Sequence, residues 1–474
     1  MLRQIIRKEV RETVRDGRFR WGAALVGLLL FLSLAAGFAQ RQEVARAHAS
    51  AEAMSWAQWL DQGDKNPHSA AHYGIYVFRP VSSLSFVDRG VDPYMGVSTW
   101  LEAHYQNPFE HRAVQDTPAL ARFADLTAAT TLQLLVPLLI LLLAFRSFSG
   151  EREQGTLRQL LSVGVNPRKL ATGKVLGVGV ALGLLLVPAA LVGALALLMA
   201  GPGGGAVANE GLRYLLLVGT YLAYFGIFTA LAVGVSALAP SSRTALALLL
   251  CFWIGNGLLA PRIASDVARS QLSLPSSLEF QASIQGDLLE GFDEHPPREL
   301  RQAILRDSVL ASYGVDDPAE LPFNYAGLSL QSGEEYANLV FDRRFGDLAR
   351  RVEGQLELHR RMGFLAPHLS VRSLSMALTG TDPAHHERYA AAAEGHRRLI
   401  QRILNEDIMV NSRFGETYIA DGSLWSQIPE FEYKGPGAEW ALAGQGTAAA
   451  GILLWLLVGG ILARVGASAV ARRA

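Results

Sequence analysis

The chain has 474 residues, 43 of them basic and 43 acidic, and half are hydrophobic. Only 18% are charged, against about 25% in a typical soluble domain. This composition excludes a disordered chain, a basic nucleic-acid binder and an acidic tail protein.

The apolar residues are grouped rather than spread. Residues 1–20 come first, with Leu2, Ile5, Ile6, Val10 and Val14 at helical spacing between charges. They predict an amphipathic helix on the inner membrane surface. Six stretches without Asp, Glu, Lys, Arg or His follow at 21–39, 126–145, 175–200, 214–239, 244–260 and 440–463. A bilayer core of roughly 30 Å takes about 20 helical residues, so each reads as a membrane span. The expected fold is an all-α integral membrane protein with six transmembrane helices. The first stretch is longer than a signal-peptide core and follows a patterned helix, so Gly37-Phe38-Ala39 is not read as a cleavage site. Cys251 has no second cysteine to pair with and reads as buried filler in the fifth span.

Basic residues set the orientation. Arg3, Arg7, Lys8, Arg11, Arg15, Arg18 and Arg20 place the N-terminus in the cytoplasm, and the 464–474 tail returns there with Arg464, Arg472 and Arg473. The 146–174 loop is also basic and cytoplasmic, and the 240–243 turn adds Arg243. Arg213, beside the short outer loop 201–213, is the one basic residue on the wrong side of the short segments. The long segments 40–125 and 261–439 then lie outside. The first reads as helical over 41–60 and strand-like over 75–87. The second is mainly helical, with helices at 297–313 and 382–411. Ser332-Gly333-Glu334-Glu335 has capping-box spacing and is expected to open a helix ending at Met362. Both segments leave the same membrane face and are expected to pack as one extracytoplasmic domain.

Several chemistries are missing. No span holds an ionisable side chain, as proton- or ion-coupled carriers require. Gly173-Lys174 lacks the remainder of a phosphate-binding loop. No catalytic residue or metal ligand is assigned. His385, His386, Glu387 and His396 are read as capping and surface residues, because partners three helical turns apart are about 16 Å distant. Any ATP and Mg must be bound by another subunit.

The most informative segment is the loop after span two. Glu151, Arg152 and Glu153 precede Gly155 and Thr156, and Leu157, Leu160 and Leu161 recur at i, i+3, i+4. This predicts one helix over 151–162 with an exposed apolar stripe, a surface suited to a partner's groove. The pattern E-x-E-x-G-T-L-x-x-L-L, followed by Asn166-Pro167-Arg168, resembles the coupling-helix segment of type-2 ABC exporter permeases. Arg158 stands where that family often has an acid. Residues 374–387 and 393–398 resemble a bacterial subfamily with a large extracytoplasmic domain of unknown function between spans five and six. The resemblance implies a non-enzymatic permease of the bacterial inner membrane. It implies as partners a separate ABC ATPase subunit and a second permease, identical or related, in a lipid bilayer. ATPase coupling then falls to Glu151, Arg152, Glu153, Gly155, Thr156, Leu157, Leu160 and Leu161.

Gly173, Gly177, Gly179 and Gly183 form small-x-x-x-small pairs suited to close helix packing, within the chain or between two permeases. Gln133 and Asn256 are candidates for interhelical hydrogen bonds or for a substrate path. Pro137 and Pro188 are expected to kink their helices. The alternative to transport is a membrane-anchored external scaffold, or a mechanical transmitter driven by the same ATPase.

Overall fold

The computed structural model describes residues 1–116, 126–200 and 207–473. The end of the 40–125 segment, residues 201–206 of the following short loop and the last residue of the tail lie outside the described residues.

The chain is mostly helical. Among the described residues, six helices are long and apolar enough to cross a membrane: Gly17–Leu60, Ala128–Glu153, Pro167–Ala200, Asn209–Leu238, Ser242–Gln271 and Gly446–Arg472, spans one to six. They overrun the uncharged stretches. Span one is a single helix of 44 residues, about 66 Å long at 1.5 Å per residue and about twice the bilayer core. Its far half therefore projects as a mast. Span six corrects the expectation. Trp440 belongs to a separate short helix, Ala438–Ala443, and the span starts at Gly446, beyond Gly444 and Gln445. Beyond residue 463 the helix runs on to Arg473.

The first helix, α1 (Leu2–Arg15), ends where Asp16 turns extended and accepts a hydrogen bond from the Arg18 amide at 2.8 Å. It folds onto the start of span three. A Cβ at Gly173 would lie 2.4 Å from Ile5 Cγ2, and one at Gly177 would lie 2.4 Å from Glu9 Cβ. Only glycine admits α1 this closely.

Spans two and five each contain one π-helical turn, Thr131–Leu135 and Gly255–Leu259. Each turn ends two residues before a proline, Pro137 or Pro261. Proline has no N–H for the carbonyl four residues earlier. For Pro137 that carbonyl is Gln133, and the Tyr224 hydroxyl donates to it at 3.2 Å. Pro188, by contrast, lies inside the unbroken helix of span three.

Span four is the centre of the bundle: Tyr224, Ile227, Phe228, Ala232 and Val233 are wholly shielded. It crosses span six closely. A Cβ at Gly234 would lie 2.8 Å from the Leu462 backbone, and one at Gly466 would lie 2.8 Å from Ala237 Cβ.

Between spans five and six lies a helical domain: Ser277–Glu290, Arg298–Tyr313, Tyr325–Met362, Pro367–Thr379 and Pro383–Asn411. Its longest helix begins at Tyr325, capped by the Asn324 side chain. Ser332 is therefore a mid-helix residue, and the capping box expected there is not one. The box that does form pairs Ser276 with Glu279. The 75–87 stretch is a strand only over Ile75–Phe78, paired antiparallel with Ser98–Leu101, since Pro80 has no N–H to extend the ladder. The first long segment and the domain share a core. Trp59 and Trp425 meet edge to face at 6.2 Å, and Ile75, Val77, Leu101, Ile400 and Leu404 pack around them.

Helix Pro367–Thr379 joins the domain to the membrane bundle. Val371, Leu374 and Leu378 belong to the same core as spans two, four and six. Arg213, only 4% exposed, closes this helix by donating to Leu378 O at 2.8 Å and Ala377 O at 3.0 Å. That explains a basic residue at this end of span four: it serves a helix C-terminus, whose carbonyls carry partial negative charge.

Candidate functional site

Two short helices follow the turn at 145–148: Ser149–Glu153, the cytoplasmic end of the span-two stretch, and Thr156–Ser162 in the loop beyond it. The single helix expected over 151–162 breaks at Gly155, whose φ is +74°. This left-handed conformation suits glycine, which has no Cβ to clash. Thr156 Oγ1 donates back to Glu151 O at 3.2 Å and fixes the angle between the helices.

Three consecutive residues of the first short helix each grip a different element. Glu151 Oε1 lies 2.9 Å from Lys174 Nζ on span three and 3.0 Å from Lys8 Nζ on α1. Lys174 is 1% exposed and also holds Glu9 Oε1 at 2.8 Å. Burial acts against the charge of Lys8, but Glu151, Glu9 and Glu12 outweigh it and hold its pKa above the usual lysine range. Arg152 forks onto the C-terminal end of span four, donating to Ala239 O and Ala237 O, each at 2.6 Å. Glu153 receives the Ser242 amide at 2.7 Å and the Ser242 hydroxyl at 2.9 Å. Ser242 begins span five, so this carboxylate sits at the positive end of a helix dipole. Behind them Ser149 Oγ approaches Ser242 Oγ at 3.0 Å and Ser236 Oγ at 3.2 Å. The loop is thus fastened to α1 and to spans three, four and five.

The apolar stripe is not exposed. Leu157 is 6% exposed and belongs to the bundle core, and Leu160 and Leu161 pack partly buried against it. The face presented outward is Gln154, Arg158, Gln159 and Ser162, with Val163 76% exposed at its end. An i, i+3, i+4 pattern shows that a helix has one apolar face but not whether that face meets a partner or its own chain. Between this face and α1 opens a cleft of about 690 Å³, lined by Lys8, Glu12, Arg146, Gln154 and Lys174 among others.

Gln133 and Asn256 are buried helix contacts. Gln133 Nε2 donates to Tyr221 OH at 3.1 Å, and Tyr221 OH lies 2.9 Å from Ser375 Oγ, which donates to Asp88 at 2.5 Å. Burial raises the pKa of Asp88. Asn256 Oδ1 accepts from the His368 amide at 3.0 Å. Both polar residues therefore tie the spans to helix Pro367–Thr379. Of the four glycines, Gly173 and Gly177 receive α1. Gly179 and Gly183 meet nothing within 4 Å and line an apolar cavity of about 170 Å³ with Leu30, Leu34, Tyr214 and Phe225. His385 is buried and is not itself a cap: Asp382 caps helix Pro383–Asn411 by accepting the His385 amide at 3.0 Å, and the ring has Nδ1 2.5 Å from Asp382 and Nε2 3.0 Å from Arg213. His386 packs on Phe109 and His396 on Phe431.

No curated protein matches the chain. Residues 277–434 match a family described as a domain of unknown function, DUF3526. Residues 108–256, from before span two through the first half of span five and including the whole Glu151–Glu153 latch, match the family described as ABC-2 family transporter protein. Permeases of that family have no nucleotide-binding domain and work with ATPase subunits. The match implies that this multi-pass chain, an ABC-2 transporter membrane domain joined to a DUF3526 domain, is the membrane component of an ABC transporter.

Proposed function

We propose that the chain is the permease subunit of an ATP-driven exporter in the bacterial inner membrane. It pairs with a second permease, identical or related, and with two separate ATPase subunits that bind ATP and Mg. The N- and C-termini face the cytoplasm, and the domain between spans five and six faces outward. One observation carries this reading: Glu151, Arg152 and Glu153 fasten one short loop to α1 and to spans three, four and five. A push on that loop moves the bundle as a unit. The ATPase contacts the outward face at Arg158, Gln159 and Val163, while Leu157, Leu160 and Leu161 transmit the displacement inward. Export instead of import follows from the family resemblance. The tagged chain, purified from its native membrane, is expected to carry ATP hydrolysis with it. A preparation free of any ATPase would count against the reading.

A second reading is favoured by helix Pro367–Thr379, whose side chains share one core with the spans. Such a helix transmits span movement to the external domain whether or not cargo crosses. ATP hydrolysis in proteoliposomes without flux of any tested substrate would select this mechanical role.

A further inference from the structure

One nitrogen each from His68, His72 and His104 lies within 4.8 Å of the others, the one such group of potential metal ligands among the described residues. All three belong to the first long segment, far from the ATPase-coupling loop in sequence. His68 and His72 are one turn apart on helix Pro67–Tyr73, which puts both rings on one face. Asn66 Oδ1 caps this helix at the His68 amide, 2.9 Å, and the Asn66 side-chain amide donates to Tyr418 O at 3.2 Å. His104 comes from a loop and holds φ +68°, a left-handed conformation uncommon for a side-chain-bearing residue. What holds it there is Glu334 of the long domain helix. Its Oε1 accepts the His104 amide at 3.0 Å and lies 2.5 Å from Nδ1. Glu334 is 3% exposed, and its other oxygen accepts from Arg397 at 3.2 Å.

We propose that His68, His72 and His104 form a binding site for a zinc-class divalent metal ion, where the first long segment meets the DUF3526 domain. Imidazole nitrogens suit zinc, copper, nickel and cobalt, whereas magnesium and calcium take oxygen ligands. With Nδ1–H of His104 given to a carboxylate, its lone pair sits on Nε2. This carboxylate–histidine arrangement is the one that orients metal-bound imidazoles. Zinc–nitrogen bonds are about 2.0–2.1 Å, so side-chain rotations of about 1 Å would close the three nitrogens around an ion. Three histidines leave a fourth position, and the exposed side at His72 supplies it with water. A bound ion pins the 67–104 segment against helix Tyr325–Met362.

The test uses the full-length chain in detergent, with a tag free of histidine, stripped with a chelator and titrated with Co²⁺ and then Zn²⁺. One equivalent of Co²⁺ is expected to give visible bands of tetrahedral intensity, which Zn²⁺ abolishes. His72→Ala, at an exposed position, should weaken Co²⁺ binding at least 100-fold while leaving the melting curve of the metal-free chain unchanged. Glu334→Gln should weaken it about 10–100-fold. Absence of the bands in the wild type, or wild-type affinity in His68→Ala and His72→Ala, would overturn the assignment.

Discussion

Lys174 Nζ lies 2.9 Å from Glu151 Oε1 at a site where the lysine is almost wholly shielded from water. Glu9 approaches the same ammonium at 2.8 Å, so one span-three cation joins helix Ser149–Glu153 to α1. Removing one partner of a buried pair leaves an uncompensated charge, at a cost of about 3–5 kcal/mol. Lys174→Met is therefore expected to destabilise the chain by that amount, read as thermal unfolding in detergent. Adding Glu9→Gln should recover part of the loss. An unchanged melting temperature would show that the pair holds nothing together.

The glycines of span three should divide. Gly173→Val and Gly177→Leu drive a side chain into Ile5 or Glu9, where even a Cβ comes within 2.4 Å. Overpacking of this kind costs about 1–3 kcal/mol, and α1 should become open to protease. Gly179→Ala and Gly183→Ala meet open space and should leave stability unchanged or slightly raised. Equal effects at all four positions would contradict the packing described.

Arg213 is the clasp between the bundle and the domain. Arg213→Met leaves the Ala377 and Leu378 carbonyls without their donor and removes a partner of His385. Hydrogen bonds to charged groups contribute about 1.5–3 kcal/mol, so a loss of at least that size is expected. Limited proteolysis should then cut near residue 380 before it cuts elsewhere in the domain.

His386 and His396 give the domain a pH dependence. Burial pushes both down to about 4, while an unfolded histidine titrates near 6.5. The unfolded chain binds more protons between these values, so their contribution is present above about pH 6.5 and lost as pH falls toward 4. The double variant His386→Phe/His396→Phe should lose less melting temperature than the wild type between pH 7 and 5. Parallel curves would rule out these two residues as the cause.

What the sequence showed best was what depends on composition: six uncharged stretches and a helical domain between the last two. Ends of helices were harder to read. The Ser332–Glu335 spacing suggests a helix start, yet Asn324 caps the helix two turns earlier, because a capping box requires a non-helical residue at its head. The Leu157, Leu160 and Leu161 pattern is visible in the sequence, but its direction depends on where spans two and four place the loop. Arg213 is anomalous in the sequence and becomes intelligible only beside a helix 164 residues later. His68 and His72 carry a local signal, the i, i+4 spacing, but His104 and Glu334 are brought to them by folding alone. The Gly234–Leu462 crossing has no local signal at all.

The central claim is that the outward face of the 156–163 segment meets an ATPase. A photo-crosslinking amino acid at Val163, irradiated in native membranes, tests it most directly, with the same probe at Tyr433 as the control. The account predicts an adduct from position 163 whose mass-spectrometric sequence contains a phosphate-binding loop, and no such adduct from position 433. An adduct without a nucleotide-binding protein, or the same ATPase captured from both positions, would contradict it.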